Sequence, residues 1–124
     1  GSLNSPWGLV IAPLSFGALA GDLLVGNFGD GRISAFDAVT DAYVGQLLDA
    51  SSNPVSIDGL WGLTVGNGGN GGSASALYFS AGPGGEEHGL FGVISAVPEP
   101  GSLALFAFGL LVIGLVRAAR GKRM

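Results

Sequence analysis

Glu86, Glu87 and His88 stand side by side in this sequence, and acid–base or metal chemistry would have to begin there. His88 is the single histidine and the chain has no cysteine, so a second imidazole or a thiolate ligand is missing. Neighbouring side chains on an extended segment point to opposite faces, which keeps Glu86 and Glu87 from turning to one ion together. A Ser-His-Asp relay would have to use His88, yet no Gly-x-Ser-x-Gly elbow occurs. Gly66-Asn-Gly-Gly-Asn-Gly71 has the letters of a dinucleotide loop, but the residues after it read as another strand where that site needs a helix. An all-oxygen calcium shell takes about six to eight ligands; Asp30 stands alone in its loop and no acid occurs in 66–72. No catalytic residue, metal ligand or cofactor is therefore assigned. Trp7 and Trp61 have two readings: packing between repeated units, or a surface on which sugar rings stack. Phe28, expected in a hairpin turn, is a further candidate for an exposed aromatic.

The composition limits what could hold such residues. The chain has 124 residues, of which 24 are glycine, and only 11% are charged while 48% are hydrophobic. Glycine at about 7% and charge at about a quarter are the ordinary shares. So little charge beside so much apolar content excludes a disordered acidic chain. A net charge of −4 excludes nucleic acid as a partner, which asks for a basic face. The charge is also unevenly placed. Residues 1–96 carry Arg32 alone against Asp22, Asp30, Asp37, Asp41, Asp49, Asp58, Glu86 and Glu87, a net −7. Residues 97–124 carry Glu99 against Arg117, Arg120, Lys122 and Arg123, a net +3.

Between these basic residues and the acidic body lies an uncharged apolar run, 101–116. As a helix it would be about 24 Å long against a hydrocarbon core of about 30 Å. Ala118 and Ala119 lengthen it, and Arg117 and Arg120 can snorkel to the interface. It shows no polar positions at a helical period, so a transmembrane helix over 101–119 is expected, with Arg117, Arg120, Lys122 and Arg123 marking the cytoplasmic end. An exported body needs a signal peptide, and the first residues have neither a basic nor an apolar region. The expectation is thus a C-terminal piece of a longer precursor.

The body repeats itself. Trp7-Gly8-Leu9 recurs 54 positions on as Trp61-Gly62-Leu63, and the same offset sets Leu23, Leu24 and Val25 over Leu77, Tyr78 and Phe79. Past the next turn the offset becomes 58, setting 31–36 over 89–94, with the extra residues in the loop 82–88. Short apolar stretches closed by Gly, Pro, Asn or Asp predict strands at 7–12, 23–27, 33–37 and 43–48, then at 61–66, 76–80 and 90–96. Units of this size made of short strands imply blades of a β-propeller. The second unit lacks a fourth strand, and a ring needs about four to eight blades, so these read as its last two.

Val97-Pro98-Glu99-Pro100, followed by the apolar run and the basic end, resembles the PEP-CTERM sorting signal, also called the VPEP or ice-binding-protein C-terminal motif, a label that does not imply ice binding. The resemblance covers 97–124. It implies recognition by an exosortase, a membrane cysteine protease of Gram-negative bacteria. Release or transfer of the body to the cell surface, often alongside exopolysaccharide, is implied with it. Val97, Pro98, Glu99 and Pro100 are then substrate residues of another enzyme. Pro98 and Pro100 fix φ and withhold two amide donors, which suits an extended, accessible peptide. The stretches 5–9, 25–37 and 58–63 are similar to a group of uncharacterised PEP-CTERM proteins with propeller-like repeats.

The expected fold is all-β, two blades of about seven short antiparallel strands followed by one transmembrane α-helix. The expected organisation is a propeller-like domain over 1–96 (repeats about 5–50 and 58–96), the motif at 97–100, the membrane helix at 101–119 and a basic tail at 120–124. The expected function is that of an exported, non-enzymatic surface or matrix protein, its body serving binding or structural roles with exopolysaccharide. The partners are an exosortase, membrane lipid and the exopolysaccharide. The precursor is expected in the inner membrane, body periplasmic and C-terminus cytoplasmic. Two alternatives stand beside this reading: a propeller hydrolase or lyase with its site in upstream blades, and an uncleaved single-pass membrane protein.

Overall fold

The computed structural model describes residues 1–97. Among these, seven strands form: β1 (Pro6–Ile11), β2 (Leu23–Asn27), β3 (Ile33–Phe36), β4 (Tyr43–Gln46), β5 (Leu60–Val65), β6 (Ala76–Ala81) and β7 (Leu90–Ser95). A single 3-10 turn, Gly17–Leu19, lies in the loop between β1 and β2. The strands make two antiparallel meanders, a sheet in the order β1-β2-β3-β4 and a sheet in the order β5-β6-β7.

Side chains at the turns set these pairings. Asp37 ends β3, and its carboxylate accepts the amides of Val39 (2.8 Å) and Thr40 (2.9 Å), which reverses the chain toward β4. The same two bonds hold the Asp37 carboxyl below its ordinary value, Thr40 contributing most and Val39 next. Asn67 serves the loop after β5 similarly, accepting the amides of Gly69 (2.8 Å) and Gly71 (3.0 Å). The glycine-rich 66–71 stretch is accordingly a side-chain-capped turn, and it leads into β6.

The two meanders share their registers. Leu9 faces Val25, and 54 positions on Leu63 faces Phe79. Leu24 faces Ala35, and Tyr78 faces Val93 at offsets of 54 and 58. One core lies between them, built from Leu24, Ile33, Ala35 and Leu47 of the first half with Leu60, Leu63 and Leu77 of the second. β1 lies on β5 at close range. A Cβ at Gly8 would fall 2.9 Å from the Trp61 carbonyl oxygen and 3.0 Å from the Leu63 nitrogen. Gly26 meets Leu60 and Leu63 in the same way, its Cβ position 3.0 Å from Leu60 Cδ2.

One feature corrects the fold expected from sequence. The described residues form two packed antiparallel sheets of four and three strands, not a propeller. The physical reason is that a repeated ladder encodes strand pairing within each sheet, whereas a ring depends on how many sheets assemble and at what angle. No helix among the described residues is long and apolar enough to cross a membrane. The expected membrane helix at 101–119 and the basic tail lie outside the described residues.

Replacing Gly8 by alanine is expected to lower stability by about 1–3 kcal/mol, because the added methyl meets backbone that cannot rotate away. Gly89→Ala, with nothing within 4 Å of its Cβ position, is the control and should change little in urea denaturation. Asp37 gives a pH dependence of known sign. Its folded value lies below its unfolded one, so the stabilisation is present above the ordinary carboxylate range and is lost as pH falls through the folded value. The protection of the Val39 and Thr40 amides, measured as exchange relative to the intrinsic rate at each pH, should therefore fall on acidification, and an Asp37 carboxyl titrating at or above its ordinary value would refute this.

Candidate functional site

Both tryptophans sit where the ladders break. Pro6 pairs with Asn27 and Gly8 with Gly26, which leaves Trp7 as the extra residue of a β-bulge. Leu60 pairs with Ala81 and Leu63 with Phe79, so one residue of Trp61-Gly62 is likewise extra. At the second break Gly62 donates its amide to Ser80 Oγ (3.1 Å). Bulges of this kind re-aim a side chain out of the sheet's alternation. Both indoles thus come to the end where β1 and β5 begin, and because β1 lies on β5 they meet. Trp7 stacks on Trp61 with ring centroids 6.4 Å apart at 21°. Phe28, in the turn after β2, also stacks on Trp7, at 5.1 Å and 26°. At such separations the rings are offset, so each leaves part of a face uncovered. Trp7 is 60% exposed, while Trp61 and Phe28 are half-buried.

The loop between β6 and β7 closes the row. Trp61 Nε1 donates to Glu86 Oε2 (3.1 Å), and Glu86 holds a left-handed backbone conformation at φ 72°. Asp58 accepts the amide of Gly84 (3.0 Å) in the same loop. A buried polar network lies next to Phe28 in the chain. Asn27 is 1% exposed; its amide donates to the Arg32 carbonyl (3.0 Å) and to Ser34 Oγ (3.1 Å), and its Oδ1 accepts the Asn4 amide (2.9 Å). Ser34, fully buried, donates onward to the Ser2 carbonyl (2.7 Å). Phe28 donates its amide to the Ser5 carbonyl (2.9 Å), so residues 2–5 are strapped to the turn just before Trp7.

The structure brings Trp7, Trp61 and Phe28 together: the tryptophans pack on each other across the sheet junction, and the cluster stays partly exposed as an aromatic ledge. Glu86 joins the ledge as an acceptor; Glu87 and His88 are exposed beside it. No group of three or more metal-ligating side chains occurs among the described residues. Asp30 accepts the Arg32 amide (3.0 Å) in an ordinary turn. Val97 is 65% exposed and lies at the rim of a groove of about 1240 Å³ between β4 and the end of β7. Pro98, Glu99, Pro100, Arg117, Arg120, Lys122 and Arg123 lie outside the described residues. Sequence reasoning missed the Trp61–Glu86 bond and the Asn27 network. The repeated Trp-Gly pair, each glycine beside a break in the ladder, was the available signal for the bulges.

Residues 96–120 match the family described as the PEP-CTERM protein-sorting motif. The chain therefore carries a sorting signal of exported proteins, one that implies processing by an exosortase and a destination at the cell surface or outside the cell. Three uncharacterised proteins of Acanthamoeba polyphaga mimivirus are similar to it. One is 54% identical over 63 residues, covering 51% of this chain and 16% of that protein. A second is 44% identical over 81 residues, covering 65% and 20%. A third is 39% identical over 62 residues, covering 50% and 12%. The chain thus spans between 12% and 20% of the length of these curated relatives. No solved structure matches it.

Asn27→Ala is expected to cost about 1–3 kcal/mol, because it takes a hydrogen-bond partner from Ser34 Oγ and from the Asn4 amide where the Asn27 side chain is buried. The accompanying sign is local: Trp7 fluorescence should shift toward that of a free indole as residues 2–5 detach, well below the urea concentration that unfolds the sheets.

Proposed function

We propose that this chain is the displayed, C-terminally sorted part of an exported protein, cut by an exosortase at or beside Val97–Pro100 and then held in the surface matrix through contacts with exopolysaccharide. The observation that carries the reading is the sorting motif at 96–120. Supporting it, the chain leaves β7 at Ser95 and the first motif residue, Val97, already stands in water where a protease can reach it. Pro98 and Pro100 carry no amide proton, so the motif offers little for a sheet to capture. The aromatic ledge supports the glycan part. Pyranose rings have an apolar C–H face that rests on indole and phenyl rings, and carboxylates such as Glu86 accept the hydroxyl protons around it. In this role the body binds and positions; it carries out no reaction.

Intact mass of the mature protein, made in a host with and without an exosortase, tests the sorting step. The wild-type chain should lose its end near Val97–Pro100 only when the exosortase is present. A Pro98→Ala/Glu99→Ala/Pro100→Ala variant should keep it. An uncut end in both proteins would overturn the reading.

A further inference from the structure

We infer that Asn70 is a site of spontaneous covalent modification, converting to aspartate and isoaspartate in water, and that the Asn67 side chain sets its pace. Two asparagines in the loop after β5 precede a glycine, Asn67 before Gly68 and Asn70 before Gly71. In such a pair the side-chain carboxamide carbon is one ring closure away from the next backbone nitrogen, and glycine has no Cβ to obstruct the approach. Hydroxide first removes the amide proton of the glycine. Its nitrogen then bonds to the asparagine Cγ while the bond from Cγ to the side-chain nitrogen breaks. That nitrogen takes a proton from water and leaves as ammonia, which regenerates the hydroxide. Water opens the cyclic imide at one of its two carbonyls, giving aspartate from one and isoaspartate from the other. The balance needs only water and hydroxide.

The fold treats the two asparagines differently. Asn67 is tied at three points: its Oδ1 accepts the amides of Gly69 and Gly71, and its nucleophile, the Gly68 amide, donates to the Gly72 carbonyl (2.8 Å). Reaction at Asn67 disturbs all three bonds. Asn70 is exposed inside the turn that the Gly72 amide closes on the Gly69 carbonyl (3.1 Å), and its carboxamide bonds to none of the described residues. The restraint on Asn70 falls on its nucleophile, because the Gly71 amide proton goes to Asn67 Oδ1 (3.0 Å). Asn67 thus guards its neighbour. The glycine that makes Asn70 reactive is required by the same turn, since a Cβ at Gly71 would fall 2.9 Å from Asn67 Cγ. Ring opening puts a carboxylate in a stretch, 66–72, that has no acid. Isoaspartate also adds a methylene to the backbone between Gly69 and Gly72, which loosens the turn.

The test uses the intact chain, kept in mild detergent because of its apolar 101–116 stretch and held at mildly alkaline pH. Peptide mass mapping over time reads the change from amide to acid at each asparagine, and chromatography separates aspartate from isoaspartate. In the folded chain Asn70 should convert about tenfold faster than Asn67, whose extra hydrogen bonds must be given up. In urea the two should convert alike, because each is followed by glycine. Asn67→Ala frees the Gly71 amide and should speed Asn70 about fivefold, the factor that one net hydrogen bond supplies. Asn67→Asp keeps an acceptor for that amide and should give no acceleration; circular dichroism checks that the sheets of both variants persist. Asn67 converting first in the folded chain overturns the inference, since the Gly69 and Gly71 amides would then act as an oxyanion hole on its Oδ1. An Asn70 that converts in urea but not in the folded chain overturns it as well. An Asn70 rate unmoved by Asn67→Ala, with the sheets intact, overturns the role given to Asn67.

Discussion

The contact of β1 on β5 is the constraint from which the rest of this body follows. Two sheets can share a core only if their backbones approach closely enough for Leu24, Leu60, Leu63 and Leu77 to meet, and burial of such side chains is the main term favouring the folded state. Gly8 permits the approach by offering no side chain where the Trp61 carbonyl and Leu63 amide lie. The same approach brings the bulged Trp7 and Trp61 within stacking distance. Packing of the two sheets and presentation of the aromatic ledge therefore depend on the same close approach.

That coupling relates structure to a life outside the cell. A protein sorted by its last residues must fold a body that is independent of the sorting segment. The core draws on both sheets of the described body, and its last strand ends at Ser95, ahead of the motif. What the described body offers its surroundings is a partly exposed aromatic cluster, with Glu86 bonded to Trp61 and little positive charge.

Strands were readable in the sequence because each is bounded by residues with local reasons to turn: Asp37 and Asn67 close loops with their own side chains. The offsets of 54 and 58 were readable because pairing partners within a meander are near in sequence, and they reappear in the registers Leu9–Val25 and Leu63–Phe79. How the sheets assemble was not readable. The junction joins residues some fifty positions apart through glycines whose role is to be absent, and no local pattern distinguishes two packed sheets from part of a ring. Glu86 was visible as an acid but not as the partner of Trp61, since that bond depends on a bulge in one strand and a left-handed residue in a distant loop. Asn27 read as a turn former, and its burial beside Ser34 comes from packing of residues 2–5 over it.

The most direct test is the exciton circular-dichroism signal of the stacked Trp7–Trp61 pair, recorded where the sheet signal shows the chain still folded. If the approach of β1 on β5 sets the ledge, the wild type shows the coupled signal, Trp61→Phe abolishes it, and Gly8→Ala diminishes it by prising the strands apart although neither ring has changed. An undiminished coupled signal in Gly8→Ala would contradict this: the ledge would then form without the close junction, and packing and presentation would be separate events.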